Sequence, residues 1–354
     1  MNGSSRREFA AGLLALGMRV SGQEPSRSAG EPSFVMPRKQ WSPAYLELAR
    51  KGELARRARA LRAIYEKCRL CPRQCGVNRR KGQTGVCRST AQAKVYSFQR
   101  RFAEERPLTG WRGSGCIFFS NCNLLCIYCQ NWEINHRGDG EPVSDRQLAE
   151  MLLAAQQMGC HCVDLVTPTH ILPNIVSALE IAVARGFSLP LVYNCGGYEG
   201  LEAVQLLAGI IDIYLPDFKY FDGAVAAELS NGAADYPERA AEAIKEMHRQ
   251  VGDLVADEDG LGLRGLIVRH LILPDNLGGT DRFVRWVAKE LSPYTLVNLM
   301  GQYWPAYQAN RHPSLKRRIT LAEYHRAYQW AREAGLKRLY TSDWPLRREP
   351  SSGA

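Results

Sequence analysis

The chain has 354 residues, of which 45% are apolar and 23% are charged, as expected for a globular protein with a sizeable core. No apolar stretch approaches the length of a transmembrane helix, which excludes an integral membrane protein at this stage. The eleven cysteines are an odd number and are grouped at metal-ligand spacing, which favours metal or cluster binding over a disulfide framework.

The net charge of +10 is concentrated in one basic segment, residues 38–101. This segment holds 18 Lys/Arg against Glu47, Glu53 and Glu66, which gives +15 and leaves −5 for the remainder. Such a segment suits RNA, an acidic protein partner or an anionic lipid surface. The alternative is a solvated helix face between Arg50 and Arg62, and the sequence leaves both interpretations open.

Residues 1–40 predict a leader. The run Ser5-Arg6-Arg7-Glu8-Phe9 resembles the twin-arginine export motif, and a short apolar run to Met18 follows it. Residues 19–40 carry Ser, Gly, Pro, Arg and Glu with little periodicity, which predicts a flexible linker.

Residues 41–110 predict an N-terminal helix followed by a cysteine-rich module. The helix is expected over Pro43–Lys67 with Ser42 as its N-cap. Four thiolates on a short glycine-bearing loop then form what we call the four-cysteine module, Cys68, Cys71, Cys75 and Cys87. Four thiolates complete a tetrahedral zinc site, and they suit a second iron–sulfur cluster equally well. The module therefore predicts bound metal whose identity stays open.

From about residue 111 to 343, apolar strands alternate with amphipathic helices. Strands are predicted over Gly115–Ser120, Cys162–Thr167, Leu189–Asn194, Ile211–Phe218, Gly265–Leu273 and Tyr294–Met300, with helices near 144–159, 171–185, 199–208, 236–251, 279–291 and 320–334. Arg338–Thr341 is a candidate for a last strand, and residues 344–354 form a tail. This order predicts an α/β fold with a parallel sheet, either a partial (β/α)6 barrel or a doubly wound sheet.

Polar and cysteine-bearing segments follow these strands. In parallel α/β folds functional groups gather at the C-terminal edge of the strands, so the sequence predicts one site there. The segments are 121–131 after the first strand, Thr167–His170 after the second, Asn194–Tyr198 after the third, Asp217–Lys219 after the fourth, and Arg269–His270 on the fifth.

The first of these segments carries Cys122, Cys126 and Cys129 in the run Cys122-Asn-Leu-Leu-Cys126-Ile-Tyr128-Cys129. Thiolates are soft ligands that suit iron–sulfur clusters and zinc. A structural zinc site needs four closed ligands, whereas a site that does chemistry keeps one position open. Three cysteines on one tight loop therefore suit three corners of a four-iron cluster whose fourth iron binds an exchangeable group.

These motifs resemble the radical S-adenosylmethionine (SAM) superfamily, and especially the PflX-like proteins related to pyruvate formate-lyase activating enzyme. The resemblance covers roughly residues 65–343. It rests on Cys68-Arg-Leu-Cys71-Pro-Arg-Gln-Cys75, Cys122-Asn-Leu-Leu-Cys126-Ile-Tyr-Cys129-Gln-Asn131, Val166-Thr-Pro-Thr-His170, Tyr193-Asn-Cys-Gly-Gly-Tyr198, Asp212-Ile-Tyr-Leu-Pro-Asp217-Phe-Lys219, Val268-Arg-His-Leu-Ile-Leu-Pro274 and Leu299-Met-Gly-Gln-Tyr303.

The resemblance implies the partial barrel and a 4Fe-4S cluster on Cys122, Cys126 and Cys129. It implies that SAM chelates the open iron through its amino and carboxylate groups, with Tyr128 near the adenine. One electron into the cluster would then cleave SAM to methionine and a 5′-deoxyadenosyl radical, which abstracts hydrogen from an unactivated C–H bond. A low-potential donor such as flavodoxin or ferredoxin is implied as the electron source.

The resemblance also implies which other side chains meet SAM. The family's Asp-x-Lys and strand-five arginine match Asp217, Lys219 and Arg269. Alternatively, Asp217 and Lys219 form a surface ion pair, and Arg269 belongs to an internal network on its strand. Where many relatives carry Gly-Gly-Glu, this chain has Thr167-Pro-Thr-His170, so Thr167, Thr169 and His170 are candidates to accept from the SAM ammonium group. His170 alternatively touches substrate or caps the following helix. Asn194 is a further candidate contact to the cofactor.

Three functions follow from this sequence. The first is a radical SAM enzyme that activates or modifies a protein or peptide, and the second is one that modifies RNA, suggested by the basic segment. The third is a non-enzymatic electron-transfer or sensor protein with one or two clusters. A SAM enzyme needs SAM and a low-potential donor, which favours the cytoplasm, whereas the twin-arginine motif favours export.

Overall fold

The computed structural model describes residues 33–340. The predicted leader lies mostly outside this range, and the twin-arginine run and the predicted tail lie wholly outside it. In the described part the basic N-terminal segment starts with two helices, α1 (Ala44–Arg50) and α2 (Glu53–Ile64), where the sequence predicted one. Gly52 separates them with a left-handed φ of 70°, a conformation that commonly ends a helix. Ser42 does not cap α1, because the residue that precedes α1 is Pro43.

Ten strands follow the N-terminal helices in the described part of the chain: β1 (Ala93–Arg101), β2 (Ser114–Phe119), β3 (Glu141–Val143), β4 (Val163–Val166), β5 (Leu191–Cys195), β6 (Ile213–Pro216), β7 (Val255–Ala256), β8 (Gly262–Leu271), β9 (Leu296–Met300) and β10 (Leu339–Tyr340). Their order in the sheet is β10-β9-β8-β6-β5-β4-β2-β1-β3, with β7 paired to β8. All neighbours from β2 to β10 along this order are parallel.

Helices alternate with these strands: α3 (Arg106–Thr109), α4 (Asp145–Gln157), α5 (Leu172–Val183), α6 (Leu201–Leu206), α7 (Gly223–Leu229), α8 (Tyr236–Val251), α9 (Thr280–Glu290) and α10 (Leu321–Glu333). The six predicted parallel strands and the last strand are confirmed. The sheet stays open over the described residues, so the partial barrel is confirmed as the fold class.

One part of the sheet was not predicted from the sequence. Strand β1 pairs antiparallel with β2 and with β3, and it extends the sheet beyond the first parallel strand. Tyr96, Gln99 and Arg100 are its exposed side chains, and their positions break the strict alternation that marks a half-buried strand. The sheet therefore begins at Ala93, within the range predicted for the N-terminal module. The N-terminal module and the sheet belong to one compact unit that begins at Phe34.

The core explains why α2 lies where it does. Leu54, Ala58, Leu61 and Ile64 are buried at helical spacing on one face of α2, which contacts α5. This contact holds the segment before the four-cysteine module against the barrel. Within residues 33–340, no helix is both long enough and apolar enough to cross a membrane.

Candidate functional site

One cavity of about 270 Å³ lies at the C-terminal edge of the parallel strands. It is lined by nine of the eleven residues that the sequence assigned to the cofactor, all except Thr169 and His170: Cys122, Cys126, Tyr128, Cys129, Thr167, Asn194, Asp217, Lys219 and Arg269. These residues come from five separate segments over nearly 150 positions. The predicted convergence of the strand ends therefore matches the geometry, while the roles of these residues remain proposals.

The loop after β2, residues 120–131, presents its three cysteines to this cavity, and we call it the cluster loop. Each of its three sulfurs receives a hydrogen bond. The Leu124 N–H donates to Cys122 Sγ at 3.4 Å, Ser230 Oγ donates to Cys126 Sγ at 3.0 Å, and Asn135 Nδ2 donates to Cys129 Sγ at 3.2 Å. Donors aimed at sulfur stabilise the thiolate form, the form that binds metal.

The backbone is strained around this cavity. Asn121 and Leu125 on the cluster loop and Thr167 after β4 have φ values of 76°, 53° and 60°. Residues other than glycine rarely adopt positive φ, and such strain concentrates at functional sites. The left-handed turns at Asn121 and Leu125 bracket the first part of the loop and let Cys122 and Cys126 face one cavity.

Two thiols of the cluster loop, those of Cys122 and Cys129, keep their protons at neutral pH when no metal is bound. Burial, reinforced by the neighbouring Cys126, raises the pKa of Cys122 to about 11, and burial raises the pKa of Cys129 to about 12. Metal binding must therefore release protons from this loop. Three soft donors on one loop, each with a hydrogen-bond donor of its own, fit three corners of an iron–sulfur cluster.

Aromatic rings enclose one side of the cavity. Tyr128 is buried, and its ring lies edge-on to Tyr220 at 6.3 Å and to Tyr303 at 6.0 Å between centroids. Tyr220 also shares a 2.8 Å hydrogen bond with Ser230, which holds the donor to Cys126 in place. The tyrosine packing and the sulfur contacts are therefore one connected arrangement.

The end of β6 contributes a half-buried ion pair. Lys219 Nζ lies 2.6 Å from Asp217 Oδ2, and both side chains line the cavity. Burial works against the charged ammonium group, but Asp217, Cys126 and the neighbouring tyrosines together raise the pKa of Lys219 well above its usual value. Lys219 therefore stays cationic and can meet an anionic group of a ligand.

Arg269 lines the cavity, yet most of its donors are already engaged. Its guanidinium forms two hydrogen bonds to Glu105, at 2.8 and 2.6 Å, and one each to Glu104 and Asn194. The internal network that the sequence left as an alternative is thus what the structure shows. Burial opposes the charge, but Glu105 raises the pKa of Arg269 well above its usual value. Arg269 holds the acidic pair beside the cavity.

A buried carboxyl lies next to this network. Among the described residues, Glu104, Cys116 and Asp164 form the one set of three metal-ligand side chains whose ligand atoms all lie within 4.8 Å of one another. Burial, with the charge of Glu104, raises the pKa of Asp164 to about 8. Asp164 therefore holds a proton at neutral pH, and its Oδ1 has no hydrogen-bond partner.

We expect the Asp164→Asn variant to become more stable relative to wild type as pH rises. The pKa in the folded state, about 8, exceeds the value of about 3.9 in an unfolded chain. The folded protein therefore binds the extra proton between pH 4 and pH 8, and the stability from this group is lost as pH rises through that range. Asparagine does not titrate, so the free energy of unfolding of the variant should rise relative to that of wild type by up to about 1.4 kcal/mol per pH unit.

Thermal or urea unfolding of both proteins at about pH 5.5 and pH 7.5 measures this difference. The exposed Asp259 provides the matched control, since Asp259→Asn should show the same difference from wild type at both pH values. A difference for Asp164→Asn that does not change with pH would show that Asp164 is ionised in the folded protein.

The structure does not bring His170 to this cavity. Its ring is buried, and Nε2 lies 2.8 Å from the Ser120 carbonyl oxygen. Burial, with the charge of Arg79, lowers the pKa of His170 to about 3, so the ring is neutral. The 3-10 turn Thr169–Ile171 directs the side chain away from the cavity and toward the four-cysteine module. Thr169 also turns away, since its hydroxyl donates to Glu199 at 2.7 Å.

The four-cysteine module forms a second, smaller cavity. Its four cysteines line this space together with Arg79, Gly85 and His170. Arg73 joins the module to the first site, because it donates to the carbonyl oxygens of Asn123 and Ser230 at 3.1 and 3.0 Å. The two cysteine groups therefore occupy adjoining cavities.

Sequence reasoning missed several residues of the first site. Ser230 and Asn135 donate to cluster-loop sulfurs, and Glu104 lines the cavity. Ser230 follows α7, more than a hundred residues from Cys126, and no spacing or motif connects the two. Such contacts are set by tertiary packing, so the sequence carried no signal for them.

The basic segment keeps most of its net positive charge. At least seven of its 18 cations form ion pairs: Arg50, Lys51, Arg56, Arg57, Arg62, Arg69 and Arg80. Five of these pair with Glu47, Glu53 or Glu66, which the +15 already includes. Only Arg62 and Arg69 pair with acids outside the segment, which lowers the net charge from +15 to +13. Arg79 is fully buried.

Known proteins resemble this chain along most of its length. The family model described as the radical SAM superfamily matches residues 116–257. An uncharacterized protein of Methanocaldococcus jannaschii is 29% identical over 306 residues, covering 83% of each chain, and a second from that organism is 24% identical over 299 residues, covering 79% of this chain and 81% of the relative. A crystallised domain of pyruvate-formate lyase-activating enzyme from Bacteroides vulgatus superposes with a TM-score of 0.30 at 14% identity, covering 56% of this chain and 91% of that domain.

Proposed function

Residues 116–257 make this chain a member of the radical SAM superfamily, and from this premise we propose that it cleaves SAM reductively to start radical chemistry on a protein or peptide substrate. Superfamily membership implies a 4Fe-4S cluster and SAM. The observation that carries the proposal is the single cavity in which three hydrogen-bonded cysteine sulfurs face an aspartate–lysine pair.

The cluster loop supplies the ligands in this proposal. Cys122, Cys126 and Cys129 hold three irons, and the donors from Leu124, Ser230 and Asn135 set the electron density on their sulfurs. When bound, the cluster and SAM supply a 5′-deoxyadenosyl radical that abstracts a hydrogen atom from the substrate.

The remaining side chains of the cavity orient SAM. Lys219 provides the cation for the methionine carboxylate, and Asp217 holds Lys219 in place and accepts from the SAM amino group. Tyr128 packs near the adenine, while Thr167 and Asn194 contribute polar contacts from the neighbouring strand ends. Apolar walls from Phe118, Val166, Leu271 and Met300 exclude water from the reacting atoms.

A polypeptide is the proposed substrate because aromatic side chains stand exposed near the cavity. Trp304 and Tyr307, which follow β9, are 42% and 38% exposed, and Tyr307 stacks on Trp132 at 5.3 Å. Exposed aromatic clusters are typical of protein-binding surfaces. A reduced flavodoxin or ferredoxin is the proposed electron donor. The need for SAM and this donor favours the cytoplasm.

The two alternatives are less well supported. RNA modification rests on the charge of the basic segment alone, since that segment carries no recognised RNA-binding motif. A simple electron carrier does not need the Asp217–Lys219 pair in a cavity beside its cluster. Neither alternative is favoured by an observation of its own.

Anaerobic reconstitution tests the proposed function. We expect the reduced protein to convert SAM to 5′-deoxyadenosine and methionine, and we expect SAM to change the EPR signal of the reduced cluster. A reconstituted protein whose EPR signal SAM leaves unchanged, and which forms no 5′-deoxyadenosine, would support the electron-carrier alternative. RNA affinity that falls steeply with salt would support the RNA alternative.

A further inference from the structure

The four-cysteine module contains a buried cation that lacks a carboxylate partner. Arg79 is 1% exposed, and it donates to the carbonyl oxygens of Ser89, Thr90 and His170. Its Nη1 also lies 4.0 Å from Cys68 Sγ. Among the ion pairs of residues 33–340, none involves Arg79. A buried charge needs a counter-charge, and four metal-bound thiolates provide a negative one.

The loops of the module are shaped around its sulfurs. The Val86 N–H donates to Cys75 Sγ at 3.4 Å. A methyl group added at Gly85 would lie 2.5 Å from the same sulfur, so only glycine fits there. The ring of His170 lines the cavity, and its Nδ1 is buried without a hydrogen-bond partner. These contacts describe a built metal site rather than four incidental thiols.

The spacing of the sulfurs distinguishes the two candidate metals. Four thiolates around one zinc ion at about 2.3 Å lie within about 4 Å of one another. Among the described residues, no three of these cysteines have sulfurs that all lie within 4.8 Å. In this arrangement the sulfurs are too far apart to ligate one zinc ion together, which favours a larger inorganic core.

The module also contacts the residues on either side of Cys122. Arg73, two residues after Cys71, donates to the Asn123 carbonyl oxygen at 3.1 Å, and Asn123 Oδ1 lies 3.9 Å from Cys122 Sγ. Asn121 donates to Ser89 at 2.9 Å, two residues after Cys87. Residues close to Cys71 and Cys87 thus contact the residues that flank Cys122, which gives a direct path for electron transfer between the two groups.

We propose that the four-cysteine module holds a second 4Fe-4S cluster, and that this cluster passes single electrons to the cluster of the SAM site. A reduced low-potential flavin or iron–sulfur protein gives one electron to the module cluster. The module cluster returns to its oxidised state as it reduces the neighbouring cluster by that electron, and no bond is formed or broken. The transfer step rests on the proposed function, whereas the metal assignment does not.

The metal assignment is tested by iron, sulfide and zinc counts after anaerobic reconstitution. We expect about eight irons in wild type and about four in each of two variants, Cys122→Ala/Cys126→Ala/Cys129→Ala and Cys75→Ala/Cys87→Ala. The triple variant should keep an EPR signal that SAM does not change, whether or not the wild type cleaves SAM. Cys160→Ala, at a buried cysteine outside both groups, controls for packing and should keep about eight irons. About one zinc and no iron in the triple variant would overturn the assignment.

The transfer step is tested by the rate at which the SAM-site cluster is reduced, followed by EPR after rapid freezing. Loss of the module cluster in Cys75→Ala/Cys87→Ala should slow reduction by flavodoxin at least 10-fold. Photoreduction by a small deazaflavin, which reaches the cluster directly, should stay unchanged and so report an intact site. Equal flavodoxin rates in the variant and in wild type would overturn the transfer step.

Discussion

Cys126→Ala is expected to abolish 5′-deoxyadenosine formation and to remove about four irons per chain. Cys126 lies in the middle of the cluster loop, and its sulfur accepts the Ser230 hydroxyl at 3.0 Å. Removing a partner of a metal ligand already costs 10–100-fold, so loss of the ligand itself should reduce the rate by at least about 100-fold. Initial rates of SAM cleavage and iron counts on the same sample measure both effects.

Ser230→Ala provides a graded companion to that variant. It keeps all three cysteines and removes only the donor to Cys126, so the iron count should match wild type. The reduction potential should fall, because the sulfur then carries more electron density, and activity should drop by about 10-fold. Cys160→Ala should behave as wild type. Full activity in Cys126→Ala would show that this cysteine does not hold the cluster.

Lys219→Met is expected to weaken SAM binding by about 10- to 100-fold while the iron content stays unchanged. The side chain is 18% exposed in the cavity and is paired with Asp217 at 2.6 Å. Methionine keeps the length and removes the cation, so the SAM carboxylate loses its partner and Asp217 is left without a counter-charge. Equilibrium binding of SAM to the reconstituted protein measures the loss.

Two further variants separate binding from stability. Lys245→Met breaks an exposed ion pair with Glu290, far from the cavity, and should leave SAM affinity unchanged. Asp217→Asn/Lys219→Met removes both charges and should recover part of the stability lost in Lys219→Met without recovering SAM affinity. Unchanged affinity in Lys219→Met would assign the carboxylate to another cation.

Much of the fold could be predicted because it rests on local patterns. The six parallel strands are nearly continuous apolar runs, and the residues that follow them are polar or cysteine, so both strands and site lie where periodicity places them. The predicted helix over 43–67 was wrong in one respect, since Gly52 divides it. Strand β1 escaped prediction because its identity as a strand depends on pairing with β2 and β3 rather than on its own alternation.

In the candidate site, too, the features that depend on sequence spacing could be predicted, and those that depend on packing could not. Cys122, Cys126 and Cys129 are close in sequence, so their joint use follows from spacing. His170 directly follows the polar run after β4, yet a single 3-10 turn sends its ring to the other cysteine group. Arg269 was placed correctly on its strand, but its engagement with Glu104 and Glu105 required contact over more than 160 positions.

The amino-acid sequence alone determined the parallel α/β order, the two cysteine groups and the edge at which functional residues collect, because these follow from short-range spacing and strand direction. Tertiary structure decided which donors meet each sulfur, where His170 and Arg269 turn, and that the two cysteine-bearing loops contact each other. Those outcomes depend on contacts between distant segments packed at fixed distances, and no local pattern records them.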